Sequence, residues 1–128
     1  MTRRELFPII NCTDIAGMRT FYESVLGGEL IYQFPDEGDA VYLVLRIGMG
    51  QVGLGLGTGP ALYGGTPIPA SGHAVDICVY VGDLPGVVAA AERSGAAVPV
   101  RPQLMPWGET IAYIRDPEGT MLLVIQDD

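Results

Sequence analysis

The sequence predicts an α+β fold in which two βαβββ modules pair into a curved mixed sheet that forms a cup, with helices on its outer face. Three observations lead there. Residues 5 to 27 and 74 to 95 repeat one pattern: an extended apolar stretch, an aspartate, an amphipathic segment and a closing glycine. Short strand-like segments bounded by glycine, proline and acidic residues follow each repeat. With 48% apolar residues, 18 Gly and 10 Pro among 128 residues, the chain reads as a single well-buried domain, 1–128, broken by many turns.

The first module spans 5–56. Its opening apolar run leads to Asp14, whose carboxylate suits the exposed N–H groups of a first helical turn. Met18, Phe21, Tyr22 and Val25 then recur at the spacing of one buried helical face, and Gly27 suits a left-handed C-cap. Strands follow at Glu29–Phe34, at Val41–Ile47 beyond an Asp-Glu-Gly-Asp turn, and at Gln51–Leu56. Residues 57–72, dense in glycine and proline, read as a linker.

The second module spans 73–126 and repeats the order. Asp83 is its N-cap, Pro85 fits the opening turn, Leu84, Val87, Val88 and Ala91 form the apolar stripe, and Gly95 closes the helix. Strands are expected at Ala97–Arg101, Thr110–Arg115 and Met121–Gln126. The last two are joined by Pro117-Glu118-Gly119, a three-residue loop with Gly119 left-handed, which sets Arg115 opposite Met121 and Tyr113 opposite Leu123. A four-stranded sheet with one bare face is too small to stand alone, so the two modules are expected to cooperate.

Composition narrows the function. Fifteen acidic and 7 basic side chains, all arginine, give a net charge of −8, so there is no basic stripe to track nucleic-acid phosphates. No apolar run reaches membrane-spanning length and the N-terminus lacks a signal-peptide core, so a cytoplasmic protein with no membrane partner is expected. Two cysteines, Cys12 and Cys78, make no disulfide framework and are expected to be reduced. The single histidine, His73, excludes three-histidine sites, two-histidine facial triads and helical zincin motifs, and reads as a surface loop residue.

The pattern Thr13-Asp14, Phe21-Tyr22, Leu26-Gly27, followed by Val81-Gly-Asp83, Pro106-Trp107-Gly108 and Asp116-Pro-Glu-Gly-Thr120, resembles the vicinal oxygen chelate superfamily. That superfamily holds glyoxalase I, extradiol dioxygenases, and fosfomycin and bleomycin resistance proteins. The resemblance implies a metal held by His, Gln or Glu at four positions. Three of them fall on Phe7, Asp76 and Leu123, and the fourth in Gln51–Gly57, a stretch with no carboxylate. One plausible ligand in four positions cannot satisfy a divalent ion. The sequence therefore looks like the metal-free, drug-binding branch, with no cofactor. By the same resemblance a homodimer is expected, with ligand crevices between chains and the first strand open to exchange.

The resemblance implies that Phe7 and Asp76 mark the cup side, and strand alternation then sorts the candidate lining. Phe7, Ile9 and Asn11 face the cup from one first strand, and Asp76, Cys78 and Tyr80 from the other. Ile10, Cys12, Ile77, Val79 and Val81 face the helices. Tyr113, Arg115, Met121 and Leu123 share the cup face, while Tyr42, Val44 and Arg46 share a face that the sequence leaves open. Trp107 either stacks on a ligand near the mouth or closes its loop onto the sheet. Asp76 is expected to pair with Arg115 or Arg46, Cys78 to be a small core residue, and Glu109 to be a solvated turn residue. The expected function is metal-independent sequestration of a hydrophobic or aromatic small molecule, such as an antibiotic, and the acidic balance favours encounter with cationic or weakly basic ligands. The competing class is an enzyme of glyoxalase or dioxygenase type with atypical ligands, or an isomerase using Asp76 or Glu109 as base.

Overall fold

In the computed structural model, residues 5–57 and 75–127 are described; His73 and the 58–72 part of the linker lie outside them. The element order is β1 (Ile9–Asn11), α1 (Ile15–Leu26), β2 (Glu29–Phe34), β3 (Tyr42–Ile47), β4 (Gly50–Gly55), β5 (Ile77–Val81), α2 (Leu84–Arg93), β6 (Val100–Leu104), β7 (Thr110–Arg115) and β8 (Met121–Gln126). Each module is one four-stranded mixed sheet, in the order β1-β4-β3-β2 or β5-β8-β7-β6. The first strand of each runs parallel to the last, and the other pairs are antiparallel.

Both helices start and stop by the same local chemistry. Asp14 accepts from Gly17 N–H at 3.0 Å, and Asp83 from Gly86 N–H at 3.1 Å. Gly27 turns left-handed at φ 70°, and Gly95, just past the end of α2, at φ 86°. Met18, Phe21, Tyr22 and Val25 are all buried, as are Leu84, Val88 and Ala91; Val87 is only partly so. Each helix lies on its own sheet, and α1 and α2 pack on each other. One apolar core therefore runs through both modules, collecting Leu43, Leu45, Val52 and Leu54 from one sheet and Ala112, Ile114, Leu122 and Val124 from the other.

Two features differ from the expectation. Among the described residues no strand ladder joins the two sheets; within one chain the modules meet through their helices. The strand expected at Ala97–Arg101 runs instead from Val100 to Leu104, with a register irregularity between Val100 and Gln103. Pro102 does not break it, because β6 is an edge strand and an edge does not need every N–H.

The modules are also stapled together. Glu118, at the β7–β8 turn, accepts from the backbone N–H of Thr13 (2.8 and 2.9 Å) and of Asp14 (2.7 Å) at the entry to α1. Buried Asp116 accepts the Tyr22 hydroxyl at 2.8 Å and the Glu118 and Thr120 N–H groups at 3.0 and 2.9 Å. No helix among the described residues is long and apolar enough to cross a membrane.

Candidate functional site

With the helices on one side of each sheet, no described helix covers the opposite, open side. On the first module that face carries Ile9, Tyr42, Val44 and Arg46, with Val44 buried among them, and this settles the face of β3 that the sequence left undecided. Gly53 lies opposite Ile9 on one side and Val44 on the other. A Cβ built at Gly53 would stand 3.0 Å from Ile9 Cγ1 and 3.2 Å from the ring and hydroxyl of Tyr42, so both side chains lean into the space that glycine leaves. The rings of Tyr42 and Tyr32 are 6.0 Å apart and tilted by 57°. Phe7 is half-buried just before β1, and Asn11 is exposed at its end. Arg46, near the end of β3, is paired with Glu29 of the neighbouring β2 at 3.2 Å.

On the second module the expected β7–β8 register holds, with Arg115 opposite Met121 and Tyr113 opposite Leu123. Gly119 is left-handed at φ 95°. Cys78 lies beside Leu123 across the parallel β5–β8 pair. Tyr113 donates to Asp76 at 3.3 Å. Tyr80 donates to Glu109 Oε2 at 2.8 Å, and the Trp107 indole N–H donates to Glu109 Oε1 at 3.0 Å. These contacts raise the tyrosine pKa values. For Tyr80 the main cause is the hydrogen bond to Glu109; for Tyr113 it is desolvation, followed by the charge of Asp76. Cys78 is raised by desolvation and then by Glu109 and Asp76, so both carboxylates lie within electrostatic reach of that thiol.

Several sequence expectations change here. Asp76 takes its hydrogen bond from a phenol, while Arg46 pairs with Glu29 in the other module and Arg115 donates to the Gly119 carbonyl at 2.9 Å. Cys78 is exposed, not a core residue, because its alternation phase places it on the open face; Cys12, in the opposite phase, is the buried one. Trp107 does not close its loop onto the sheet: it is 67% exposed. Glu109 is not a free turn residue but the acceptor that joins Trp107 to Tyr80. Parity would have found it, since 109, 111, 113 and 115 alternate onto one face of β7.

The internal repeat locates the fourth family metal position. Cys78 faces Leu123 as Ile9 faces Gly53, so the position matching Leu123 is Gly53. Phe7, Gly53 and Leu123 offer no side-chain donor, and the Tyr42 ring fills the space over Gly53. Among the described residues no group of three His, Cys, Asp or Glu side chains converges as a metal site. The residues present do not fit the family's metal.

A profile of the Glyoxalase/Bleomycin resistance protein/Dioxygenase superfamily matches residues 6–124. No curated protein matches the sequence. Among solved structures, the chain is similar to TioX from Micromonospora sp. ML1, with 23% identity, a TM-score of 0.76, and coverage of 97% of this chain and 98% of that one. It is also similar to a superfamily member from Sphaerobacter thermophilus DSM 20745, with 20% identity, a TM-score of 0.73 and 98% coverage of both chains. A glyoxalase/bleomycin resistance protein/dioxygenase family enzyme from Burkholderia phytofirmans PsJN is 20% identical, with a TM-score of 0.72 over 94% of this chain and 95% of that one. At these identities the likeness is one of fold.

Proposed function

The chain belongs to the Glyoxalase/Bleomycin resistance protein/Dioxygenase superfamily, and from that membership we propose a metal-independent binding protein that sequesters a hydrophobic or aromatic small molecule, such as an antibiotic, in the cytoplasm. The furnishing of the four metal positions carries this reading: a benzyl group at Phe7, bare backbone under a tyrosine ring at Gly53, one carboxylate at Asp76 and an isobutyl group at Leu123. Three or four convergent donors are needed to hold a divalent ion. In their place stand aromatic and aliphatic groups with a few polar atoms, the usual lining of an organic-ligand site. Because the helices occupy the other faces, a second copy is the proposed means of closing each open face into a crevice, which makes the working form a homodimer.

Two measurements test the binding reading. Elemental analysis of dialysed protein is expected to find no stoichiometric metal; retained Zn, Fe, Mn or Ni would overturn the proposal. Trp107 is the sole tryptophan, so its fluorescence is expected to be quenched by the right planar natural product. Trp107→Ala is expected to weaken binding about tenfold by removing stacking and buried area. An unchanged spectrum across polycyclic and glycopeptide drugs counts against sequestration.

A second reading draws on the Asp76–Tyr113 contact. A carboxylate and a phenol 3.3 Å apart on one open face form a potential acid–base pair for a cofactor-free isomerase or lyase. Turnover of a bound compound that disappears in Asp76→Asn, with binding retained, would favour it.

A further inference from the structure

We propose that the second-module wall of the ligand site selects an organic cation, a ring-bearing amine whose ammonium group sits at Glu109 between the exposed rings of Trp107 and Tyr80. The inference rests on the small-molecule-binding reading and names the class of ligand for it. Glu109 is only partly exposed, at the entrance to β7, and each of its oxygens already accepts one donor: Oε1 the indole N–H, Oε2 the phenol O–H. Two consequences follow. The polar tips of both rings are consumed internally, so Trp107, 67% exposed, and Tyr80, 57% exposed, offer a ligand mainly their π surface. The carboxylate still has lone pairs to spare and holds both rings beside its charge.

A cavity of 180 Å³ opens at this spot, lined by Tyr80, Gly108, Glu109, Thr110, Gln126 and Asp127. Its lining includes two carboxylates and no cationic side chain. The Tyr80 hydroxyl, raised by Glu109 first and by Asp127 to a smaller degree, reports the same negative field. The Gln126 amide N–H groups are committed to the carbonyls of Val81, Gly82 and Asp127, so they are not directed to a ligand anion. An anionic guest would meet carboxylates without a counter-charge, and a neutral one would gain only ring contact. A cationic one gains ring contact, cation–π attraction and a charge-assisted hydrogen bond together.

The test uses three probes with one ring system: 1-naphthylmethylammonium, 1-naphthalenemethanol and 1-naphthoate, titrated calorimetrically into the intact protein. The ammonium probe is expected to bind about tenfold more tightly than the alcohol, and naphthoate most weakly. Glu109→Gln, which keeps the shape and an acceptor, is expected to bring the ammonium probe to within about twofold of the alcohol while leaving the alcohol's affinity unchanged. Glu37→Gln, in the β2–β3 loop of the other module, is expected to keep the preference. Equal binding of all three probes, or a cation preference that survives Glu109→Gln, overturns the inference and leaves the binding-protein reading standing. Failure of all three to bind sinks both.

Discussion

The Tyr22 hydroxyl ends in the core, where a bare O–H would be costly, and Asp116 takes it at 2.8 Å. Burial and the Asp116 charge push that phenol far above its ordinary range, so it stays neutral and donating. Tyr22→Phe is expected to cost about 1–3 kcal/mol in urea denaturation, because a buried carboxylate loses one of its donors. Cys12 carries a pH signature. Burial first, then Glu118, Asp116 and Asp14, push its thiol from 9.0 up to about 11. The unfolded chain ionises it near 9.0, so its contribution to stability is complete below that pH and is lost as pH rises through about 11. Urea midpoints taken near pH 8 and about pH 10.5 are expected to fall more for the wild type than for Cys12→Ala. An equal fall in both would show that Cys12 plays no part.

Each helix opens with an Asp-x-x-Gly motif, and its glycine has a packing reason. A Cβ at Gly17 or Gly86 would run into the carboxylate of Asp14 or Asp83 that caps it. Gly86→Ala thus trades a gain in helix propensity of about 1 kcal/mol for loss of a cap worth about the same, and is expected to be near neutral. Introduced into Asp83→Ala, where no cap remains to lose, the same change is expected to stabilise by about 0.5–1 kcal/mol in thermal denaturation. Non-additivity of that sign is the check. The caps, apolar stripes and β7–β8 register were legible because each is set by residues close in sequence and by a strict two-residue alternation. The bounds of β6 were not: the expected strand ran through Pro99 and stopped short of Pro102, which looks like a breaker until the strand is known to lie at an edge. Glu118 escaped as well, because its partners at the entry to α1 lie about 105 residues away, beyond any local pattern; the Glu109 contact to Tyr80 spans 29 residues and shows in the sequence only as a shared strand phase.

At the scale of the molecule, two modules were readable from the repeat, but not how they meet. Edge-to-edge pairing and helix-to-helix packing bury the same stripes, so the same pattern serves both. With the helices packed together, Ile9 and Phe34 remain exposed on the open face of the first module, and Trp107 is exposed on the second. Sedimentation equilibrium is expected to give twice the 13.6 kDa chain mass. Ile9→Arg is expected to shift that equilibrium toward monomer with an unchanged circular dichroism spectrum; a wild-type monomer at all concentrations refutes the dimer.

Glu118 sits in one half of the chain and finishes a helix in the other, while Asp116 beside it answers a hydroxyl from that same helix. Neither half is therefore chemically complete. A peptide bond cut anywhere between 57 and 75 should leave two fragments that elute together under native conditions. Expressed separately, each would lack what its sibling supplies, so the two repeats of this chain stand in mutual dependence.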